Sequence, residues 1–338
     1  MMNRYFETIE FDALDGFKCD LRHLKSDKAT KGPVLLVHGA GVSSNIFNPP
    51  SENNIIHQLA AEGYDVWLEN WRGSINLEPN EWDLDQVARN DHPAAVKKIV
   101  EITGAREIKA IIHCQGSTSF MISAVMGLLP EVKLIISNAV SLHPVVPFFS
   151  KFKLNVLMPV VSRFFNYLDP QWGLYPPDLK SKIILNLVKA THWEKDTKVG
   201  KMVSFTYGSG FPALWELENL DEKTKSWIQY EFAHVPLSFF RHIKECIQYG
   251  ALKKLNDKNN DYVTGPPKTQ ARFVLFGGKK NKCFLPESQE KTFQYLEQFK
   301  PGFHKLYLLE GYSHLDVFFG KNAHVDVFPK MISELEQG

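Results

Sequence analysis

Val34 to Val37 forms an unbroken apolar run that ends in His38-Gly39-Ala40-Gly41, the pattern of a strand covered on both faces. Upstream, the β-prone stretches Tyr5 to Phe11 and Phe17 to Leu24 flank Asp15-Gly16 and predict a hairpin. Downstream, the pattern changes period repeatedly. An amphipathic stretch from Asn54 to Glu62 is followed by a strand from Tyr64 to Leu68 and a helix from His92 to Thr103 that ends at Gly104. Next come a strand from Ile108 to Cys114, a turn at Gln115-Gly116, a helix from Ser117 to Leu129 and a strand from Val132 to Ser137. Strands alternating with helices predict a mostly parallel sheet with right-handed crossovers, an α/β fold.

From about 145 to 267 the strand signal stops, and helical periods, prolines and aromatics such as Phe148, Phe149, Phe152, Phe164, Phe165, Trp172 and Trp215 take over. This segment is expected to be an inserted helical cap on a core made of 1–144 and 268–338. Leu157, Phe164 and Phe165 are expected on one helix face as part of an apolar substrate wall. The α/β pattern returns with a strand at Arg272 to Phe276, a helix from Glu287 to Phe299, a strand at Lys305 to Leu309 and a last helix from Val325 to Leu335.

Composition narrows the class. At 338 residues, 44% hydrophobic and 23% charged, the chain matches ordinary folded proteins and can bury a large core. With 39 Lys+Arg against 38 Asp+Glu the formal charge is +1, which argues against nucleic acid as a partner. The opening MMNRYFETIEFD lacks the apolar centre of a secretory leader, and no later run is long enough for a transmembrane segment, so a cytoplasmic location is expected. The four cysteines, Cys19, Cys114, Cys246 and Cys283, share no metal-type spacing and suggest no disulfide framework.

One cysteine stands apart by position. Ile111-Ile112-His113-Cys114-Gln115-Gly116-Ser117 passes from strand to helix through a very short turn. An α/β-hydrolase places its nucleophile at such an elbow, with a following backbone N–H aimed at the substrate oxygen and small residues permitting the turn. Gly116 meets that demand, whereas Ile112 occupies a position where glycine is usual.

Several further motifs make the chain resemble the acid-lipase-like branch of the α/β-hydrolase superfamily. Gly63-Tyr64-Asp65-Val66-Trp67-Leu68 followed by Trp71-Arg72-Gly73 is similar to that branch's fourth strand and its loop, and Asp91-His92-Pro93-Ala94 to its Asp-Leu-Pro-Ala helix start. His113-Cys114-Gln115-Gly116-Ser117 resembles its His-Ser-Gln-Gly elbow, and Gly311-Tyr312-Ser313-His314-Leu315-Asp316 its histidine loop. The likeness covers most of 30–144 and 270–335 and leaves the cap unmatched. The departure is cysteine in place of serine, as in the similar elbows of dienelactone hydrolases and bacterial polyester synthases.

The resemblance implies Cys114 as nucleophile, His314 as general base, and the backbone N–H groups of Ala40 and Gln115 as an oxyanion hole. Where the family has an aspartate after the strand ending at Phe276, this chain reads Gly277-Gly278-Lys279-Lys280-Asn281. Asn281 is taken as the group that accepts the histidine N–H, with Asp316 and then Glu287 as alternatives, and His143 as a spare histidine. No His/carboxylate motif of the H-E-x-x-H kind occurs, so cofactor-free and metal-free chemistry is expected. The implied activity is hydrolysis of a carboxylic ester, thioester or lactone with an apolar acyl part through a cysteinyl acyl-enzyme. Acyl transfer by the same pair, and a non-catalytic binding role, are the alternatives.

Overall fold

The computed structural model describes residues 5–26, 29–257, 259 and 262–338. Residues 1–4 of the opening segment lie outside the described residues. An eight-stranded sheet forms the centre. Its strands are β1 (Phe6–Asp12), β2 (Lys18–Leu24), β3 (Pro33–Val37), β4 (Asp65–Asn70), β5 (Ile108–His113), β6 (Val132–Asn138), β9 (Arg272–Gly278) and β10 (Lys305–Leu309), with β7 and β8 lying elsewhere in the chain. The spatial order is β1-β2-β4-β3-β5-β6-β9-β10. β1 and β2 form the antiparallel hairpin, with Gly16 at φ +85° in its turn, and β2 runs antiparallel to β4. Every later pairing is parallel.

Burial explains the apolar runs. All five residues of β3 and nearly all of β5 and β6 are buried, because α1 (Ile55–Ala61), α2 (Leu84–Thr103), α3 (Cys114–Val125) and the helices after β9 cover the two faces of the sheet. The register brings Val37 beside Ile112, His113 beside Asn138, and Asn138 beside Phe276. The carboxyl ends of β3, β5, β6 and β9 therefore open at one rim, the edge at which open α/β sheets place their ligands.

Several boundaries differ from the sequence reading. α3 begins at Cys114 rather than Ser117, with Gln115-Gly116 inside its first turn instead of forming a separate one, and ends at Val125 rather than Leu129. α2 starts at Leu84 rather than His92: Asp83 caps it by accepting from the Gln86 N–H, and Pro93 sits inside it. Pro93 looked like a first-turn proline because that position also tolerates a missing N–H. The last helix divides at Val327 into Ala323–Asp326 and Phe328–Gln337. The motifs around α2 are joined by one buried contact: the Arg72 guanidinium bonds the Asp91 carboxylate at 2.6–3.0 Å, and the Arg72 N–H donates to the same group at 2.9 Å. It locks the Trp71-Arg72-Gly73 loop to α2.

Between β6 and β9 the chain is mainly helical, with Phe148–Phe152 and Met158–Val161 joined by a π-helical stretch, followed by Leu179–Thr191, Lys198–Tyr207, Glu222–Ile228 and Leu237–Tyr249. The region does contain strand, contrary to the sequence reading: β7 (Tyr167–Leu168) pairs antiparallel with β8 (Val235–Pro236). Two residues per strand are too few to leave an alternating pattern. The cap aromatics also divide. Trp172 and Trp215 are buried, whereas Phe148, Phe149, Phe152 and Phe164 face solvent. Of the three residues expected on one face, Leu157 lines a cavity, Phe165 packs on Trp172 with ring centroids 5.1 Å apart, and Phe164 is exposed.

Candidate active site

At the rim, β5 ends at His113 and α3 begins at Cys114, with no loop between them. Cys114 takes φ +55°, a left-handed conformation that costs a side-chain-bearing residue roughly 1–2 kcal/mol and persists only where packing enforces it. Two glycines make room for it. A Cβ on Gly116 would lie 2.1 Å from the His38 carbonyl oxygen, and a Cβ on Gly39 would lie 2.8 Å from the Cys114 Cβ. The His38 carbonyl is itself held by the Trp71 Nε1–H at 2.9 Å. Ile112, fully buried on β5, is compatible with the elbow because the close approaches fall on Gly39 and Gly116 instead.

The backbone N–H groups of Gln115 and Ala40 act on the Cys114 sulfur and favour its thiolate. Burial pushes the thiol up to about 12, and these two N–H groups offset part of that shift. The resting sulfur is a neutral thiol occupying a two-donor nest.

His314 lies on the loop after β10, fully enclosed, and burial brings its imidazolium down to about 3. Its Nδ1 is 3.1 Å from the Asn281 Nδ2. The orientation of that amide follows from its other end, where Oδ1 accepts the Cys283 N–H at 3.0 Å and the Phe284 N–H at 3.1 Å. Turning the amide would set its NH2 against two N–H donors. Asn281 is thus beside the imidazole as expected, but the direction of the bond is reversed: the amide donates to Nδ1, so the neutral ring carries its proton on Nε2. His113 is held in the same way. The Asn138 Nδ2 lies 2.9 Å from His113 Nδ1 and 3.2 Å from the His314 carbonyl, which must accept. The two imidazoles meet edge to face with centroids 4.8 Å apart.

The other third-member candidates lie elsewhere. Asp316 accepts from the Ser313 and Glu216 N–H groups at 2.7 and 3.1 Å and from Asn219 Nδ2 at 2.7 Å, so it shapes the histidine loop; burial raises it to about 6. Glu287 is exposed, and His143 sits against Thr292. The ligand-capable atoms of His113, Cys114 and His314 lie within 4.8 Å of one another, a spacing that a soft metal could bridge. The amides oppose this, since a ligating imidazole donates its second N–H outward, whereas both rings here receive an N–H at Nδ1.

Sequence reasoning missed Tyr207. Its hydroxyl is buried and unpartnered, and a Cβ on Gly41 would lie 2.0 Å from it. Tyr207 lines a small pocket with Ala40, Cys114 and His314, and also the larger apolar cavity above. Burial and the nearby Cys114 raise its phenol well above the ordinary value. Only Gly41 at φ +67° hinted at it, as a place where something approaches the backbone closely. The larger cavity is walled by Leu154, Leu157, Met158, Val161 and Phe240. Lys153 projects into the same wall, with Nζ donating to the carbonyls of Phe205 at 2.7 Å, Ser204 at 3.3 Å and Gly208; burial lowers it to about 8.

Comparisons with known proteins agree with the fold. Human lipase member K is 24% identical over 334 residues, spanning 91% of this chain and 80% of that protein. Sterol esterase 2 of Saccharomyces cerevisiae is 29% identical over 163 residues, which is 41% of this chain and 30% of that protein. Among solved structures, a soluble variant of monoglyceride lipase from Saccharomyces cerevisiae superposes with a TM-score of 0.61 at 18% identity, covering 100% of this chain and 96% of that one. The profile of the alpha/beta hydrolase fold family matches residues 32–321, and with the sheet order, the strained elbow and the histidine after the last strand it shows that this chain belongs to the α/β-hydrolase fold family.

Proposed function

We propose that the chain hydrolyses carboxylic esters, thioesters or lactones carrying an apolar acyl group, with Cys114 as the nucleophile. The observation that carries the reading is the Cys114 sulfur at a strained strand-to-helix elbow that opens onto an apolar cavity. The lipase and esterase names of the relatives support ester bonds as the class.

In the proposed reaction Cys114 Sγ bonds to the acyl carbon, and the carbonyl π electrons move to oxygen. Ala40 and Gln115 N–H donate to that oxygen, each such donor being worth about 3–4 kcal/mol in measured cases. Tyr207 supplies a third donor, which gives its unpartnered hydroxyl an acceptor for the first time. Collapse of the intermediate expels the alkoxide or thiolate, which takes up a proton. Water then attacks the thioester, releasing the acid and restoring the thiol. His314 can take the thiol proton only with a free Nε2. Turnover therefore requires the ring proton to move to Nδ1, with Asn281 giving up its donated bond.

That last requirement favours a second reading, an α/β-hydrolase fold retained for binding an apolar ligand. The discriminating experiment is intact-mass analysis after exposure to a panel of activated esters and acyl thioesters, alongside product release. An acyl adduct mapped to Cys114, with turnover, supports the enzyme. A folded protein that binds these compounds with neither adduct nor product supports the binding reading.

A further inference from the structure

The formal charge of +1 conceals a strong asymmetry. Between residues 145 and 201 there are nine basic and four acidic residues, so this stretch alone carries +5. Lys151, Arg163, Lys180, Lys182, Lys189 and Lys195 are exposed there, whereas Asp178 is the one exposed carboxylate of the stretch.

The same stretch carries two exposed apolar stripes. Phe148, Phe152, Val156, Val160 and Phe164 recur every fourth residue and are between 50% and 76% exposed. Leu179, Ile183 and Leu187 recur every fourth residue on the helix Leu179–Thr191 and are between 41% and 73% exposed. At 100° per residue this second stripe is flanked by Lys180 on one side and by Lys182 and Lys189 on the other, with Ser181, Ile184, Leu185 and Val188 buried opposite.

Contacts at both ends connect the two segments that carry the stripes. Lys180 Nζ lies 5.9 Å over the Phe164 ring. At the other end Ser150 Oγ bonds Ser209 Oγ at 2.7 Å, and the exposed Phe211 nearby meets His192 with ring centroids 5.1 Å apart. Trp193, 83% exposed, follows directly. Exposed apolar side chains gathered in this number mark an interaction site.

We propose that this face of the cap docks onto the surface of a lipid bilayer containing anionic lipids. Apolar side chains flanked by lysines and edged by tryptophan match the interface of such a membrane, where the chains enter the headgroup region and the ammonium groups meet lipid phosphates. A second copy of the chain would bring the same positive charges together, which disfavours self-association through this face. Among the described residues no helix is long and apolar enough to cross a membrane, so the contact is peripheral. The inner side of the first stripe's segment, Leu154, Leu157, Met158 and Val161, lines the cavity over Cys114, so docking places that cavity one helix away from the lipid. The docking itself does not depend on the chemistry proposed for Cys114.

The test is flotation of the full chain with vesicles of phosphatidylcholine alone and of phosphatidylcholine mixed with phosphatidylserine. The protein should float with the mixed vesicles and lose binding as salt rises. Lys180→Gln, Lys182→Gln and Lys189→Gln combined should weaken binding on the order of 100-fold, from about 1 kcal/mol per lysine. Phe152→Ser, Val156→Ser and Ile183→Ser combined should abolish it while leaving the melting temperature unchanged, since these residues are exposed. Cys114→Ala should bind like the parent, which separates docking from catalysis. Absence of binding to the mixed vesicles overturns the proposal. So does unchanged binding in the serine variant, or a dimer in sedimentation that the serine variant dissociates.

Discussion

Two histidine networks meet α3, and they divide the features of a hydrolytic site between them. His92 bridges the Glu69 carboxylate, at 2.9 and 3.0 Å from Nδ1, and Ser119 Oγ, at 2.7 Å from Nε2. Acid, imidazole and hydroxyl line up in the order of a hydrolytic triad. Yet all three are fully buried, Ser119 lies within α3, and the Gln115 carbonyl, 3.0 Å from the Ser119 Oγ, competes with His92 for its single proton. Cys114 has the reverse endowment. It has the strained elbow, two N–H donors and a cavity, but its histidine is held by an amide that donates where a carboxylate would accept. A charge relay without access is a structural clamp. The proposed nucleophile borders a cavity but lacks that carboxylate.

The largest effect should separate the two networks outright. Cys114→Ala should remove turnover, with a loss on the order of 10⁶-fold, the scale seen when other hydrolases lose a nucleophile. It should also abolish alkylation at the elbow in peptide mapping. Ser119→Ala should leave the rate within about twofold and instead lower stability by about 1–3 kcal/mol, because His92 loses a buried partner. If the two variants exchanged these phenotypes, the functional centre would be the His92 network.

Tyr207→Phe comes next. Removing a donor aimed at a developing oxyanion should cost on the order of 10²-fold in kcat with little change in KM. Melting temperature should hold or rise, since the hydroxyl has no partner in the resting protein. An unchanged kcat would leave Tyr207 as cavity lining.

The sheet was legible in the sequence because β3, β5 and β6 are buried on both faces and so read as continuous apolar runs. The placement of Cys114 at the strand-to-helix turn was legible because an elbow is a local event within a few residues. Tyr207 was not, since it reaches Gly41 across more than 160 positions of chain and through the cap. The start of α2 was hidden by Pro93 within it, and the exposed cap stripes by a near-neutral total charge that averages over the surface. The direction of the Asn281 amide was invisible for another reason. It is decided by the Cys283 and Phe284 N–H groups, and sequence does not show which end of an amide they will claim.

That amide gives the finest test of the comparison. Asn281→Asp keeps the acceptor for the Cys283 and Phe284 N–H groups and turns the other end from a donor into an acceptor, making the His314 network like that of His92. The carboxylate would hold the His314 proton on Nδ1, free Nε2 and favour imidazolium beside thiolate. In the parent protein the thiol stands near 12, so iodoacetamide labelling of Cys114 should rise about tenfold per pH unit through neutrality without a plateau. In Asn281→Asp the labelling profile should shift toward lower pH, with Cys114 and His314 titrating as a coupled pair and labelling at pH 7 at least about tenfold faster. Asn281→Ala should not produce this shift, since it removes the donated bond without adding an acceptor. Superimposable profiles for the parent and Asn281→Asp, with equal melting temperatures, would mean that the resting state of Cys114 is set by burial alone and that the amide plays no part in it.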